Sequence, residues 1–363
     1  MNSSISEALE RLVLEPGVAP ASSAGWISGA GSSEVGTAGT LPGGGSVSER
    51  TLFDLASVSK PVLAVTLARL AARGRLPLQT ALGDVLPEAR GTPTERLPLE
   101  LLLAHRAGLE SHRCLFAPVL SGRPFQRAGA LREAALARRA DCKGAPPDAG
   151  FPPVYSDLGY LLLGAAIEAA LDGQLDRIID EEVASPLGLE LGSARLLRAR
   201  RADFATEVAP TEVVLARGGV VRGVVHDENA WALAGHGAAG HAGLFGSVSA
   251  VLGFGRELLL ARAGRSSWLD QTALEPLLCQ RQGGTLRAGF DGKSDHGSSA
   301  GALSGLHTFG HLGFTGTSLW CDPGAGIASV LLTNRVHPTR DNPRIRVARP
   351  LVHDALFTAA AYS

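Results

Sequence analysis

Lysine is nearly absent from this chain. Lys60, Lys143 and Lys293 are the only three among 34 basic residues, and arginine supplies the rest. Basic and acidic residues almost cancel, at a formal net charge of −1, and no lysine/arginine cluster forms a basic stripe. Nucleic acid and anionic membrane are therefore excluded as expected partners. Long apolar runs are also missing. Stretches such as Leu161–Ile167 are far too short to span a bilayer. The opening "MNSSISEALERLVLEPG" has neither a basic head nor an apolar run of leader length, so a soluble, cytoplasmic protein is expected. The four cysteines, Cys114, Cys142, Cys279 and Cys321, show no CxxC spacing and read as free thiols. No metal or other cofactor is expected.

What the chain does have is apolar bulk. Its 363 residues are 45% hydrophobic, enough for one large domain or two closely joined ones. Residues 5–14 carry Ile5, Leu9, Leu12 and Val13 at helical spacing. Strand-like runs follow near 24–29 and 34–40, with glycine and serine between and after them. Val58, Val62, Val65, Leu67 and Leu70 mark a helix that stops at Gly74 and Pro77. Helical patterns recur at 97–104, 128–139, 157–171 and 174–186, whereas "AGHGAAGHAGLFG" (234–246) is too rich in small residues for a helix. From about 305 the pattern turns strand-like. "HTFGHLGFTGTSLWCD" and "GIASVLLTNRV" are separated by "PGAG", a hairpin signature, and 344–360 is a final helix. The expected fold class is therefore α/β of the α+β type. Both chain ends (1–75 and 245–363) build an antiparallel sheet flanked by helices. A mainly helical domain (76–244) is inserted, and a site lies in the cleft between the two.

The rare lysine draws attention to "FDLASVSKP", residues 53–61. Proline is tolerated only in the first turn of a helix, so Pro61 fixes the helix start and puts Ser57 at its edge. There the Ser57 N–H has no intrahelical partner. Lys60, three residues on, shares the serine's face. The spacing supplies a nucleophile, a candidate base and one oxyanion donor. An ordinary reading stands beside it: Asp54 or Ser57 caps the helix and Lys60 is solvated. Lys143 and Lys293 follow Ala140 and Phe290 by three and offer no second match.

Two later stretches supply partners. In "YSD", Tyr155 would relay a proton and Asp157 would bind Lys60 or a substrate donor; the bland alternative is that Asp157 is an N-cap. In "GHLGFTGT" (310–317), read as part of the strand pattern, Gly313 would let a substrate backbone approach, and the Phe314 N–H would be the second oxyanion donor.

Ser57-x-x-Lys60, Tyr155-x-Asp157 and His311-x-Gly313, in this order, resemble the serine β-lactamase and penicillin-binding-protein superfamily. The nearest branch is the class C-like one, with its D-Ala-D-Ala carboxypeptidases and family VIII-type carboxylesterases. "RLPLQTALGDVLPE" (75–88), "LELLLAHRAGLE" (99–110), "VVHDENAWAL" (224–233) and "GHAGLF" (240–245) add to the resemblance, which runs from about 50 to 355. It implies a β-lactamase/transpeptidase-like fold and acyl transfer through Ser57. Lys60 and Tyr155 would share the proton, Asp157 and His311 would support them, and the N–H groups of Ser57 and Phe314 would hold the oxyanion. Family members often carry asparagine where Asp157 stands, and a carboxylate there tends to keep Lys60 charged. In the third motif, Leu312 replaces a hydroxyl residue. That loss favours neutral esters or amides over β-lactams and D-Ala-D-Ala peptides.

The expected activity is thus hydrolysis of a small ester or amide, with carboxypeptidase or β-lactamase activity as the alternative. Three other readings compete. "GSSAG" (297–301) matches a nucleophile elbow at Ser299, but no strand or helix pattern flanks it. His226, Asp227, Glu228, His236 and His241 would have to serve a metal hydrolase, and they lack tight ligand spacing. A non-catalytic binder on the same fold would not need Ser57, Lys60 and Tyr155 together.

Overall fold

The computed structural model describes residues 4–42 and 44–362. The first helix, Ile5–Leu9, begins on a capping box in which Ser4 and Glu7 satisfy each other's backbone N–H, and it continues as a π-helical turn to Leu14. Eleven strands follow among the described residues. They are β1 (Ala21–Ser28), β2 (Ser33–Gly39), β3 (Phe53–Asp54), β4 (Leu191–Ser193), β5 (Val213–Val214), β6 (Gly219–Val220), β7 (Leu244–Gly246), β8 (Asp291–Gly292), β9 (Phe309–Leu312), β10 (Ser318–Asp322) and β11 (Ile327–Thr333).

The main sheet is antiparallel, in the order β2-β1-β11-β10-β9-β8, so strands from both chain ends lie side by side. Alternation along β11 explains its burial on both faces. Ala328, Val330 and Leu332 pack in the core with helix Val248–Arg262, while Leu331 faces the other way. There it meets Ile5, Leu9, Ile345, Val352 and Leu356 from the first helix and from helix Ile345–Ala361. The sheet is therefore sandwiched between a central helix and the two terminal ones. A smaller sheet, β3-β7-β4, joins the segment before Ser57 to Leu244–Gly246, and β5 and β6 form a separate hairpin.

The expected helices at 97–104, 128–139, 157–171 and 174–186 correspond to Leu99–Leu103, Arg127–Leu136, Asp157–Leu171 and a run from Leu175 to Leu187. Residues 234–246 are non-helical apart from the end of helix Glu228–Ala234. Their small side chains have a packing reason. A Cβ on Gly240 would sit 1.8 Å from the Tyr160 carbonyl oxygen, so only glycine lets this loop lie against helix Asp157–Leu171.

One expectation needs correcting. The stretch 310–317 is not continuous strand. β9 ends at Leu312, and a turn at Gly313–Gly316 reverses the chain into β10. The Gly313 N–H donates to the Thr317 carbonyl, and the Gly316 N–H donates to the Gly313 carbonyl. Among the described residues no helix is long and apolar enough to cross a membrane.

Candidate active site

β3 runs into a 3-10 turn, Ala56–Val58, and then into helix Ser59–Ala72. Pro61 is the third residue of that helix, where its missing N–H costs nothing. Ser57 lies within the 3-10 turn, and its N–H donates to no described residue. Ala56 has φ of 47°, a left-handed conformation rare for a residue with a Cβ. Lys60 is fully buried. Its Nζ donates to Ser57 Oγ at 2.8 Å, to Asp157 Oδ1 at 2.7 Å and to the His241 carbonyl at 3.2 Å, which uses all three ammonium protons. Burial pushes the Lys60 pKa down, but its interactions with Asp157 and then Tyr155 together outweigh burial and hold it above the ordinary lysine value. The resting site thus holds an ammonium on the serine.

Tyr155 packs against this ammonium, with Lys60 Nζ 4.8 Å from its ring centroid. Its ring lies between His105, at 4.7 Å, and His311, at 5.9 Å. Burial raises the Tyr155 pKa, with the Lys60 charge opposing, so the phenol is neutral. Both histidines are buried and neutral. Burial and then Lys60 push His311 down to about 3, and His105 falls well below its ordinary value for the same two reasons. His311 Nδ1 donates to the Leu312 carbonyl at 2.7 Å, and His105 Nδ1 accepts from the Ser156 N–H at 3.0 Å. Asp157 is not the N-cap of its helix. Ser156 takes that role, accepting from the Gly159 N–H at 3.2 Å, and this frees Asp157 for Lys60.

Across the cleft, the turn after β9 is tied to the chain just before Ser57. Thr315 Oγ1 donates to the Asp54 carbonyl at 2.7 Å, and Thr317 Oγ1 donates to the Leu55 carbonyl at 2.9 Å. Gly313 is needed for this contact rather than for a substrate: a Cβ there would lie 1.9 Å from Thr317 Oγ1 and 2.5 Å from the Leu55 carbonyl oxygen. Arg335 Nε donates to the Phe314 carbonyl at 2.8 Å, and Arg349 Nη2 donates to the Gly313 carbonyl at 3.1 Å. The Phe314 ring sits between His226, at 5.7 Å, and the Arg335 guanidinium, at 4.5 Å. Its N–H donates to no described residue.

These groups border a cleft of about 650 Å³. Ser57, Tyr155 and Asp157 line it, as do Leu312, Gly313 and Phe314, and Asp227 and Glu228. Arg335, Arg340, Arg346 and Arg349 form a cationic side. His311 is not on the wall; it lies behind Tyr155.

Residues 23–353 match the model of the family described as Beta-lactamase. The chain belongs to the beta-lactamase family. Among curated proteins, a "Putative D-alanyl-D-alanine carboxypeptidase" of Salmonella agona is 27% identical over 320 residues, covering 81% of this chain and 72% of that one. A class C beta lactamase from Rhodobacter sphaeroides superposes with a TM-score of 0.71 at 20% identity, over 99% of this chain and 100% of the other. EstCE1, described as a hydrolase with promiscuous acyltransferase activity, also gives 0.71 at 20% identity, over 97% and 98%. These structural likenesses establish a beta-lactamase-type fold.

Within this beta-lactamase-family chain, the "HDEN" and "GHAGLF" segments acquire roles that the sequence does not reveal. The His226 N–H donates to Asp54 Oδ2 at 2.6 Å, and its ring lies 3.1 Å from Glu212. Asp227 caps helix Glu228–Ala234 through the Ala230 N–H and pairs with His241 Nε2 at 2.8 Å. The His241 carbonyl then receives Lys60. Asn229 bridges the Phe116 N–H and the Arg113 carbonyl. The five residues weighed as metal ligands are thus engaged in separate pairs or, as with His236, exposed. Among the described residues no group of three or more histidine, cysteine, aspartate or glutamate side chains could hold a metal ion. Ser299 lies in a turn of the loop between β8 and β9, with no strand-to-helix elbow around it.

His105, Thr315, Thr317, Arg335 and Arg349 do not stand out in the sequence. Only the Thr-x-Thr spacing gives a signal, since period two places both hydroxyls on one side.

Proposed function

We propose that this beta-lactamase-family chain is a serine hydrolase that forms an acyl-enzyme on Ser57 from a small ester or amide. One observation carries the reading: Lys60 Nζ lies 2.8 Å from Ser57 Oγ, on a cleft where the Ser57 and Phe314 N–H groups donate to no described residue. Once the Lys60 ammonium has lost a proton to solvent, its neutral amine takes the Ser57 proton as Oγ bonds to the substrate carbonyl carbon. The oxyanion rests against the two N–H groups, each worth about 3 kcal/mol in such sites. The neutral Tyr155 hydroxyl gives its proton to the leaving oxygen or nitrogen and recovers one from Lys60. Water then attacks the acyl group by the same proton path in reverse and frees Ser57.

The cleft also bears on the substrate's charge. Leu312 and the neutral His311 offer no cation, which is the reason to expect neutral substrates. Arg346, however, is exposed and makes no ion pair among the described residues, and Arg349 is buried without a carboxylate partner among them. Burial, and then Arg335, push Arg349 down to about 10, so it stays charged at neutral pH. This cationic side favours substrates with an acidic group and keeps carboxypeptidase activity on D-Ala-D-Ala peptides as a second reading.

Mass spectrometry after incubation with an activated short-chain ester, a penicillin and a serine-directed phosphonate tests the proposal. The expected result is a covalent adduct on Ser57, absent in Ser57→Ala and retained in Ser299→Ala. No adduct and no turnover with any of the three would refute it.

A further inference from the structure

Asp54 stands three residues before Ser57, is 2% exposed and is not part of the cleft wall. Its Oδ1 accepts from the Ala56 N–H at 2.8 Å, and its Oδ2 accepts from the His226 N–H at 2.6 Å. Two backbone donors thus compensate a buried carboxylate, one on each oxygen. The first belongs to the residue directly before Ser57.

That residue is under strain. Ala56 holds φ of 47°, where its Cβ crowds its own backbone, and glycine would sit there without penalty. Such a conformation persists only if its surroundings hold it. The Ala56 N–H donates to Asp54, and the Ala56 carbonyl accepts from the Ser59 N–H of the turn itself, so Asp54 is the side chain that holds this residue. The neighbouring carbonyls of Asp54 and Leu55 are held by Thr315 and Thr317, so the rest of the turn is already fixed to the Phe314 side. The second oxygen reaches the segment that stacks His226 on Phe314 and, through Asp227 and His241, presents a carbonyl to Lys60.

We infer that Asp54 is a positioning residue for the hydrolytic reaction. Its carboxylate locks Ala56 in the left-handed conformation, which turns Ser57 Oγ toward Lys60 and the Ser57 N–H toward the cleft. The inference rests on the serine-hydrolase reading. Asp54 touches no substrate; it acts through the backbone of residue 56.

A double-mutant cycle tests it. Asp54→Asn keeps the side chain's size but offers only one acceptor atom, and its amide would face a backbone donor, so one of the two hydrogen bonds is lost. Ala56→Gly removes the penalty that the carboxylate opposes. In the wild-type background, Asp54→Asn is expected to lower kcat and the rate of phosphonate labelling at Ser57 by about ten-fold, with KM changed less than about two-fold. In the Ala56→Gly background the same substitution is expected to cost less than about three-fold. Equal losses in both backgrounds, or no loss in either, overturn the inference. Loss of folding in both, read by circular dichroism, also overturns it, because Asp54 would then support the fold rather than the turn. A wild-type protein that is neither labelled nor active overturns the hydrolase reading itself, an outcome distinct from these.

Discussion

Asp157→Asn is the most informative single change at this site. Asp157 Oδ1 lies 2.7 Å from Lys60 Nζ. At an effective dielectric of ~20, a pair of unit charges at that distance attracts by about 6 kcal/mol. The Asp157 side chain is 24% exposed, and asparagine still offers an oxygen acceptor, so roughly half of that figure is lost on substitution. The sign follows from Lys60 being the cation: removing the nearby anion favours the neutral amine, so its pKa falls. Burial, which pushes the same way, is then opposed only by Tyr155. If neutral Lys60 is the base for Ser57, the acid limb of kcat/KM moves to lower pH, and activity near neutral pH rises. The assay is ester hydrolysis by wild type and variant from about pH 6 to about pH 10, with thermal unfolding as a control. An unmoved acid limb with lower activity at every pH would refute the reasoning. Asp157 would then be the final proton acceptor, with Lys60 passing the serine proton to it.

Two further outcomes follow from the same geometry. Thr317→Val removes one of the two donors to the Leu55 carbonyl, which keeps the Val58 N–H; this costs about 1 kcal/mol in chemical denaturation and lowers kcat more than it raises KM; unchanged kcat would sever the link between the Phe314 turn and Ser57. His105, His311 and His353 are buried and neutral when folded, with His311 and His353 lowered to about 3, so the unfolded chain binds protons there that the folded chain does not. Stability therefore falls as pH drops below about 6.5, by up to about 1.4 kcal/mol per pH unit for each histidine. Asp54, raised by burial, opposes this only nearer the carboxyl range. Urea titrations between about pH 7 and about pH 5 should show the loss, and His353→Gln should reduce its slope by about a third. A flat profile would show that the three do not titrate on unfolding.

Much of the frame is legible in the sequence because it is local. Alternation along β11 and helical spacing in Ser59–Ala72 and Asp157–Leu171 are read within a few residues. The Ser57–Lys60 pair is legible for the same reason, with Pro61 fixing the helix start. What stays hidden depends on contacts between distant parts of the chain. Thr315 and Thr317 look like ordinary strand residues until Leu55 and Asp54 are beside them. Asp54 reads as a helix cap, yet one of its oxygens belongs to His226, 172 residues away. The left-handed turn before Ser57 has no glycine to announce it, because the chain puts an alanine there and holds it with a carboxylate. The break after Leu312 escapes the sequence because Gly313 fits both a strand and a turn, and only the close approach to Leu55 and Thr317 decides between them.

The placement of charge follows from one constraint. A buried ammonium cannot share its surroundings with a second cation unless another anion joins it. Asp157 is the carboxylate paired directly with Lys60, and burial first, then the Lys60 charge, hold His105 and His311, the next bases in the stack, neutral. A histidine at position 311 therefore cannot supply the positive charge that grips an acidic substrate while Lys60 remains charged. That charge has to come from beyond the stack. Helix Ile345–Ala361 carries Arg346 and Arg349 on the far side of the Phe314 turn, where the backbone carbonyls of Gly313 and Thr317 rather than a carboxylate receive Arg349. Keeping carboxylates away from those two arginines leaves their charge available to the cleft. In the same way, Asp157 beside Lys60 helps to keep that lysine protonated in the resting site. Asp157 beside Lys60 and the neutral His311 are thus two parts of one electrostatic layout.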